Sequence, residues 1–458
     1  MKPMTGEEKY IYMTQSPIPG LIGRMSLPTI ASMLITTFYN MADTFFVGKL
    51  DTASVGAVGI AFSVMAIIQA VGFTFGNGSG ACMARQLGAR KADEARITAS
   101  TGFFSALIFG AMIAVAGILL LRPIAVWLGS TETILPYAIR YMGIILAAAP
   151  VNIASLVINN QLKLQGSTTA AMIGIVSGGV LNLLLDPLFI FAFRLGVTGA
   201  ALATAAGQLF SFIVLLAVLQ RGGGVRLGVR AFRPSPRLLF KIISNGFPSL
   251  CRQGIASVAT ILLNRAAGVY GDAAIAGMTI TSRITMFANA ALIGFGQGFQ
   301  PVCAFNYGAK KYDRVLESFW FCVRIGFVFL VITAALLSVF APDIARLFRA
   351  DDAQVVEVAA ASLRWRILLF PLNSWMIMIS MMLQITGKSF RASVTALCRQ
   401  GIYFIPAILI APHFQGLTGV EMSQFWADIP SFITSLVIGI LFLRELRSEM
   451  QAEALSPP

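Results

Sequence analysis

The sequence predicts an all-α polytopic membrane protein, with twelve transmembrane helices in two pseudo-symmetric six-helix bundles. Of its 458 residues, 57% are hydrophobic and only 12% are charged, about half the charged share of ordinary soluble domains. The mean hydropathy is +0.79, and most apolar runs exceed the ~20 residues that cross a bilayer as a helix. Residues 75–93 also recur as residues 295–313, 220 positions later, with eight of nineteen aligned residues identical.

Twelve apolar runs define the predicted transmembrane segments, which we number span 1 to span 12. They cover residues 18–47, 53–84, 95–121, 133–163, 167–193, 197–220, 240–268, 274–307, 313–341, 354–386, 390–411 and 417–446. Strands of a membrane barrel would alternate over segments of about ten residues, and these runs do not alternate. The first 17 residues are polar and the first run is a full span, so no signal peptide is predicted.

The repeat divides the chain into two bundles joined by a polar linker. We predict a cytoplasmic tail at 1–17, a first bundle at 18–220, a cytoplasmic linker at 221–239, a second bundle at 240–446 and a cytoplasmic tail at 447–458. Each bundle holds an even number of spans, so the two share one orientation and are related by an axis along the membrane normal. A binding site between duplicated bundles can open to either side in turn, which is typical of a transporter.

The distribution of charge predicts the orientation. The net charge is +14, and most of the 34 lysines and arginines lie on one side of the predicted membrane, chiefly in 85–96, 221–241 and 310–314. By the positive-inside rule this side and both termini are cytoplasmic. The same distribution argues against nucleic-acid binding. GNGSG at 76–80 predicts close helix packing, because no Walker lysine or Rossmann pattern surrounds it.

Two acidic residues lie within predicted spans of the first bundle, Asp43 in span 1 and Asp186 in span 5. Acids inside a membrane are costly and mark ion or proton pathways. Helical spacing extends them into polar faces. These faces carry Met33, Thr36 and Asn40 on span 1, Asn152 and Asn159 on span 4, Asn182 on span 5, and Thr204 and Gln208 on span 6. We expect them to converge on a pocket whose oxygen atoms suit Na⁺ and whose carboxyl pair is equally suited to a proton.

The alternative for these polar groups is a purely structural role. Polar pairs in membranes hydrogen-bond neighbouring helices for ~0.6 kcal/mol each. Two aspartates in one bundle, each within a turn of an asparagine, favour a functional site instead. Met33 is the first candidate for a pliable apolar substrate contact beside Asp43, since methionine suits promiscuous binding.

A proline early in span 1, Pro28, is repeated as Pro248 in span 7. Proline inside a helix removes a backbone hydrogen bond and favours a kink. We consider Pro28 a conformational hinge whose bend responds to cation occupancy; a static kink near the membrane surface is the alternative.

The second bundle has a different set of polar residues. Span 7 carries Arg252 and Gln253 but no acid, and Asp428 in span 12 is the one acid of this bundle with an intramembrane position. These three form a possible second-half site. Arg283 and Arg399 also lie within spans, where each pairs with a carboxylate, contacts lipid phosphate or snorkels to the surface.

The chain resembles the multidrug and toxic compound extrusion (MATE) family over residues 18–446. The motifs that carry the resemblance are YNMADTFFVG at 39–48, INNQLKLQGS at 158–167, NLLLDPLFIF at 182–191 and the doubled G-A-[RK]-K loop. GFPSLCRQ in span 7 is similar to the DinF-like branch, which includes MepA-type pumps. NorM-type members carry an acid in span 7 that this chain lacks.

The resemblance implies a multidrug efflux antiporter of the bacterial inner membrane, in which two bundles rock between inward-open and outward-open states. It implies a cation site at Asp43, Asn182 and Asp186, with Thr204 and Asn159 as companions. We expect H⁺ or Na⁺ as coupling ion, no cofactor, no metal beyond Na⁺ at the two aspartates, and amphiphilic, often cationic substrates. Because each chain holds both halves, we expect a monomer to suffice.

Two other classes of function are weighed against antiport. A flippase for a lipid-linked sugar would line its cavity with cationic residues, for which Arg252, Arg283 and Arg399 are candidates. An intramembrane enzyme would need a nucleophile with its base or a metal cluster, and the sequence has a single histidine outside the spans and no metal-ligand spacing. The sequence therefore predicts a transporter and not an enzyme.

Overall fold

The structure is a computed structural model that describes residues 5–348 and 352–455, and these residues form helices joined by short turns. The predicted tails therefore extend beyond the described residues at 1–4 and 456–458. In the first bundle the spans are Ile18–Val47, Thr52–Gly88, Ala92–Leu119, Leu135–Leu164, Thr168–Pro187 with a π-helical extension Leu188–Ala192, and Val197–Arg221. Short helices at Gly6–Gln15 and Leu121–Trp127 complete this part.

The second bundle repeats the order with more breaks. Spans 7 to 9 are Pro236–Gly268, Asp272–Gly308 and Tyr312–Val339, and span 10 is Ala353–Leu368 followed by Asn373–Thr386. Span 11 is Ser389–Leu397, the π-helical Cys398–Ile402 and Phe404–Gln415, and span 12 is Ser423–Leu455. Short helices lie at Val229–Ala231, Ala341–Phe348, Phe370–Leu372 and Leu417–Glu421.

The twelve predicted spans correspond to twelve long helical segments. Within the described residues, nine helices are long and apolar enough to cross a membrane, and a bent pair in span 10 makes a tenth. Spans 7 and 8 have 33 and 37 residues. They are less apolar because arginine, asparagine, glutamine and threonine interrupt them. The all-α, two-bundle fold predicted from the sequence is confirmed.

Three of the spans are not single regular α-helices. Span 10 is bent by 48° between Leu368 and Phe370, because Pro371 has no N–H to continue the helix and restricts the residue before it. Span 11 is interrupted by a π-helical turn. Span 12 begins at 417 as predicted, with a short helix Leu417–Glu421, and its long helix runs from Ser423 to Leu455, past the predicted end at 446.

The helix Gly6–Gln15 and the end of span 12 lie on one face of the molecule, which we call the terminal side. Arg90, in the turn after span 2, pairs with Glu7 at 2.9 Å. Lys310, in the equivalent turn after span 8, pairs with Glu453 at 2.9 Å. The turns that carry the repeated basic motif therefore share a face with the N- and C-terminal helices.

On the terminal side, one helix of each bundle packs against a helix of the other bundle. Span 1 packs against span 8 of the other bundle, and span 7 packs against span 2. Thr29 donates a hydrogen bond to the carbonyl of Gly294 at 2.6 Å, and Ser26 donates to the carbonyl of Phe295 at 3.1 Å. Such close backbone approach between membrane helices requires small residues.

Glycines make this contact possible at equivalent places in the two repeats. A Cβ on Gly78 would collide with the carbonyl oxygen of Ile242, and one on Gly298 would collide with the backbone of Ser26. The glycines of GNGSG therefore serve helix packing, as the sequence predicted.

The helix at Gly6–Gln15, which we call the N-terminal helix, bridges both bundles across the terminal side. It is closed by a capping box between Thr5 and Glu8. Toward the first bundle, Lys9 donates to Ser167 and Glu7 accepts from Arg90. Toward the second bundle, the carbonyl of Met13 accepts from Asn306 and that of Thr14 accepts from Lys311. The helix thus joins the bundles where they already meet.

Farther from the terminal side, spans 1 and 7 carry polar residues that lie outside the packed core. Asn40 on span 1, and Ser257 and Thr260 on span 7, are exposed. The hydrogen bonds between spans 1 and 8 lie nearer the terminal side. They begin at Ser26, and the bond between Gln297 and Met33 reaches farthest along span 1. These hydrogen bonds therefore hold the two bundles together on the terminal side.

Candidate functional site

Spans 1 and 5 bring the two acids of the first bundle together. Asn182 and Asp186 are four positions apart on span 5, which places them on one helix face. The Asn182 amide donates to Asp186 at 3.4 Å, and Asp186 is fully buried. The carboxyl of Asp43, on span 1, interacts directly with that of Asp186. The sequence prediction that these faces converge agrees with this geometry.

The carboxyl pair has unused hydrogen-bonding capacity. One oxygen of Asp43 and one of Asp186 are buried and have no hydrogen-bond partner. In the part of the chain that the structure describes, no lysine or arginine forms an ion pair with either residue. Two adjacent carboxylates repel each other, and a proton or a cation between them relieves that repulsion. The arrangement is therefore suited to binding one.

Two tyrosines that the sequence did not single out complete the site. Tyr39 lies one turn before Asp43, and its ring packs against Gly179 of span 5, where a Cβ would come within 2.9 Å of the ring. Tyr141 of span 4 is buried and lies close to Thr204 and to both carboxyls. Thr204 is thus near the site on the side of this phenol.

The spacing of Tyr39 and Asp43 is a signal that could have identified the first tyrosine. A tyrosine one turn from an intramembrane acid lies on the same face. Tyr141 has no such signal, because its partners are on other spans.

Asn159 lies elsewhere. Its amide donates to the carbonyl of Ala171 at 2.9 Å, fifteen residues and therefore about 22 Å along span 5 from Asp186. It fastens span 4 to span 5 on the terminal side. The structure does not bring it to the carboxyl pair.

The predicted substrate contacts are spread along the first bundle. Met33 and Thr36 are half-buried on span 1, and Asn40 is exposed. The sulfur of Met33 accepts a hydrogen bond from Gln297 of span 8 at 3.8 Å, so it lies where the bundles meet. Asn152 is buried on span 4.

Gln208 contributes an unused acceptor. Its side-chain oxygen is buried without a partner, while its backbone carbonyl accepts from Ser155 at 3.5 Å. The side-chain oxygen lies on the same span as Thr204, one turn further toward the terminal side.

Pro28 lies inside an unbroken helix, between the two residues that bond to span 8. Its neighbours Ser26 and Thr29 both donate to backbone carbonyls of the second bundle. Any change in the bend at Pro28 would move those contacts.

The possible second-half site has no free carboxylate. Asp428 is buried and pairs with Arg399 at 3.0 Å, and Gln424 donates to it at 2.7 Å. Arg252 donates to Ser249 at 3.4 Å, and Gln253 is half-buried next to it. Since an arginine already pairs with Asp428, this residue does not offer the uncompensated carboxylate that the Asp43–Asp186 pair has.

The fold and the site define a membrane transporter built from duplicated helical bundles. The MatE family model matches residues 28–188 and 248–409, one match in each repeat. The chain therefore belongs to the MATE family of transporters.

Known proteins are similar over nearly the full length. The multidrug export protein MepA of Staphylococcus aureus (strain NCTC 8325 / PS 47) is 27% identical over 443 residues, 96% of this chain and 97% of that protein. An outward-facing multidrug resistance MATE family transporter has a TM-score of 0.91 at 27% identity, covering 98% of this chain and all of that one.

A third similar structure is a MOP superfamily transporter from Pyrococcus furiosus, described as having a binding pocket of reversed polarity that suggests a different function. Its TM-score is 0.90 at 27% identity, and it covers 98% of this chain and 100% of that one.

Proposed function

We propose that the protein is a cation-coupled antiporter that exports amphiphilic, often cationic drugs from the cytoplasm by rocker-switch alternating access. Membership of the MATE family and the similarity to a multidrug export protein support export. The observation that carries the coupling is the carboxyl pair of the half-buried Asp43 and the buried Asp186, which forms no ion pair with a lysine or arginine in the described part of the chain. The coupling ion is H⁺ or Na⁺, and no other cofactor takes part.

The terminal side is the cytoplasmic side in this proposal, and the membrane is the bacterial inner membrane. The basic turns after spans 2 and 8 support that orientation by the positive-inside rule. The hydrogen bonds between the bundles lie on this side, which supports an outward-facing conformation. One chain contains both bundles, and a monomer therefore forms the whole cleft.

Span 1 connects the cation site to the contacts between the bundles on the terminal side. Asp43 is at one end of the helix, and Pro28 lies fifteen residues away, about 22 Å along the axis. A cation entering from outside neutralises the carboxyl pair and changes how span 1 lies against span 5. Pro28 then acts as the hinge through which the same helix alters its hydrogen bonds to span 8.

Drug and cation exchange because they favour different states. A ligand that binds both states equally shifts nothing. In this cycle the drug occupies the first bundle near Met33, Thr36, Asn40, Asn152 and Gln208, where the carboxylates attract a positive charge. Cation binding neutralises that attraction, the drug leaves outward, and the cation is released inward.

Ethidium efflux with separate pH and Na⁺ gradients tests the proposal. Wild type is compared with Asp43→Asn, and Asp51→Asn serves as control because Asp51 is exposed just beyond span 1. We expect one gradient to drive efflux in wild type and in the control, and neither to do so in Asp43→Asn. Full transport by folded Asp43→Asn would refute the assigned site.

A flippase for a lipid-linked sugar or related anionic lipid is the second candidate. The similar Pyrococcus furiosus transporter of reversed pocket polarity is the observation that favours it. Against it, Arg283 is exposed and Arg399 is already paired with an acid. If neither gradient moved dye through the folded protein, and deletion impaired the cell envelope, the flippase would become the first candidate.

A further inference from the structure

The N-terminal helix, Gly6–Gln15, is only partly stabilised by its own sequence. Its first turn is capped: the Glu8 N–H donates to the Thr5 hydroxyl at 3.3 Å, and the Thr5 N–H donates to the Glu8 carboxylate at 2.7 Å. A helix of ten residues is nevertheless marginal in water, because nucleation is unfavourable and few hydrogen bonds follow it. Its stability therefore depends on the bundles against which it packs.

The helix contacts the first bundle along its side. Lys9 donates to the Ser167 hydroxyl, in the turn between spans 4 and 5, at 2.9 Å. Glu7 pairs with Arg90, in the turn after span 2, at 2.9 Å, and the Arg90 guanidinium lies over the ring of Tyr10, 4.4 Å from its centroid. These contacts hold the helix against two turns of the first bundle.

The helix contacts the second bundle through its C-terminal end. Carbonyls at and just after its last turn accept hydrogen bonds from three side chains of that bundle: Asn306 donates to Met13 at 3.1 Å, Lys311 to Thr14 at 3.2 Å and Arg314 to Ser16 at 2.5 Å. The last four carbonyls of an α-helix have no partner within the helix, and cations near that end also interact favourably with the helix dipole. The second bundle therefore completes the end of this helix.

Met13 supplies the apolar part of the contact between the helix and both bundles. Its side chain is fully buried, and a Cβ on Gly166, in the turn between spans 4 and 5, would lie 3.3 Å from its sulfur. Its carbonyl accepts from Asn306 at the end of span 8. Separation of the bundles on the terminal side would break one of these two contacts.

The second repeat has no such helix. The equivalent part of the linker, 220 positions later, is described throughout and is helical only at Val229–Ala231. The equivalents of Lys311 and Arg314 in the first repeat are Lys91 and Glu94, which pair with each other at 3.0 Å. The two bundles therefore form without a second copy of the helix, and the cations that bind its end belong to one repeat alone.

We propose that the N-terminal helix is a latch that stabilises the conformation in which the two bundles are joined on the terminal side. Its first anchor is Glu7 and Lys9 on the first bundle, and its second anchor is Lys311 and Arg314 of the second bundle. Movement of the bundles apart on this side breaks one anchor, so the latch opposes opening toward the cytoplasm. The inference rests on the alternating access of the proposed function, but not on the coupling ion or the substrate.

Distances between spin labels across the terminal side test the latch in the full-length protein in lipid nanodiscs, without ligand or gradient. The labels are attached at Ala92→Cys and Phe390→Cys, because both positions are exposed at the terminal-side ends of spans 3 and 11. Cys251→Ala is included throughout, since the other four cysteines are buried.

Each anchor is removed by two substitutions. The first-anchor variant is Glu7→Gln with Lys9→Met, and the second-anchor variant is Lys311→Met with Arg314→Met. We expect each to raise the ratio of open to joined molecules at the terminal side about tenfold or more, as for loss of a charged hydrogen bond. Because a latch needs both anchors, all four substitutions together should shift the ratio no further than either pair does.

The N-cap gives a test that touches neither bundle. Thr5→Ala removes the cap of the helix and should shift the same ratio about fivefold, in line with the usual cost of losing an N-cap. Thr5→Ser keeps a capping hydroxyl and should leave the ratio unchanged. An equal shift from both substitutions would show that the folded helix is not what holds the bundles together.

Lys310→Gln with Arg444→Gln is the matched control, since it removes two positive charges from exposed positions of the second bundle. It should leave the distances unchanged. Unchanged distances in both anchor variants, or shifts that multiply in the combined variant, would overturn the latch.

Gly78→Val forces a side chain between the bundles elsewhere on this side and separates the latch from the proposed transport cycle. If Gly78→Val lengthens the distance and the anchor variants do not, alternating access stands and the latch is refuted. If Gly78→Val also leaves the distance unchanged, alternating access itself fails.

Discussion

The two bundles share one helix arrangement but place their interior acids in different surroundings. The first bundle sets the buried Asp186 beside the half-buried Asp43, with no ion pair to a lysine or arginine among the described residues, whereas the second pairs the buried Asp428 with Arg399. Contacts that hold the bundles together are kept in both repeats, as at Gly78 and Gly298. Backbone packing fixes the duplicated residues, while interior polar groups are free to diverge and divide the binding tasks.

The largest expected effect is on the first bundle's acids. Asp186→Asn should lower gradient-driven efflux by about 5- to 150-fold, the range of ordinary coupling energies. Its melting temperature should be unchanged or higher, since the substitution removes repulsion between two carboxyls. Efflux and thermal unfolding measured on the same preparations check both statements. A large fall in stability would show that the pair is structural.

The acid of the second bundle should behave in the reverse way. Asp428→Asn leaves Arg399 buried without its partner, and breaking a buried ion pair costs about 3–5 kcal/mol. We expect a clear fall in melting temperature and in the yield of monodisperse protein by size-exclusion chromatography.

Combining Asp428→Asn with Arg399→Gln removes both charges and should recover most of that stability. If the double variant were no more stable than Asp428→Asn, the ion pair would not be the source of the effect.

The glycines at the bundle interface should give equal effects in both repeats. Gly78→Val and Gly298→Val each force a side chain against backbone, and overpacking costs about 1–3 kcal/mol. The cost falls on the closed terminal side, so both variants should shift the population toward the state open at that side.

Distance measurements between spin labels on the two bundles would detect this shift. Gly59→Val is the control, because a Cβ there meets nothing within 4 Å. An effect from only one of the two interface glycines would contradict the equivalence of the repeats.

The smallest expected effect concerns Tyr141, a residue of the site that the sequence analysis did not single out. Tyr141→Phe removes the hydroxyl that lies close to Thr204 and to both carboxyls. A polar interaction between membrane helices is worth ~0.6 kcal/mol, so the substitution should weaken binding of the coupling ion about threefold. The ion concentration at half-maximal efflux reports this change. Tyr137→Phe, one turn earlier on span 4, should leave it unaltered.

Periodicity and repetition in the sequence predicted the two-bundle fold and the meeting of Asp43 with Asp186. These features are local: an acid within an apolar run is visible, and its face follows from helical spacing. The bend in span 10 was missed because its apolar run continues through Pro371. The interruption of span 11 was missed because hydropathy does not detect a π-helical turn.

The partners of polar residues could not be predicted from spacing alone. Arg399 and Asp428 are 29 positions apart on different spans, and Tyr141 meets Thr204 only because spans 4 and 6 pack together. Asn159 and Asn182 are both asparagines within apolar spans, yet they contact span 5 at different depths in the membrane.

The packing of span 1 against span 8 also has a consequence for biosynthesis. Thr29 is made 265 residues before its acceptor, Gly294. At ordinary translation rates of about 5–20 residues per second this delay is on the order of tens of seconds. Throughout it, the polar and glycine-facing stripe of span 1 has no final partner. The nascent first bundle therefore waits in the membrane incomplete, and the protein acquires its native helix pairing only late in synthesis.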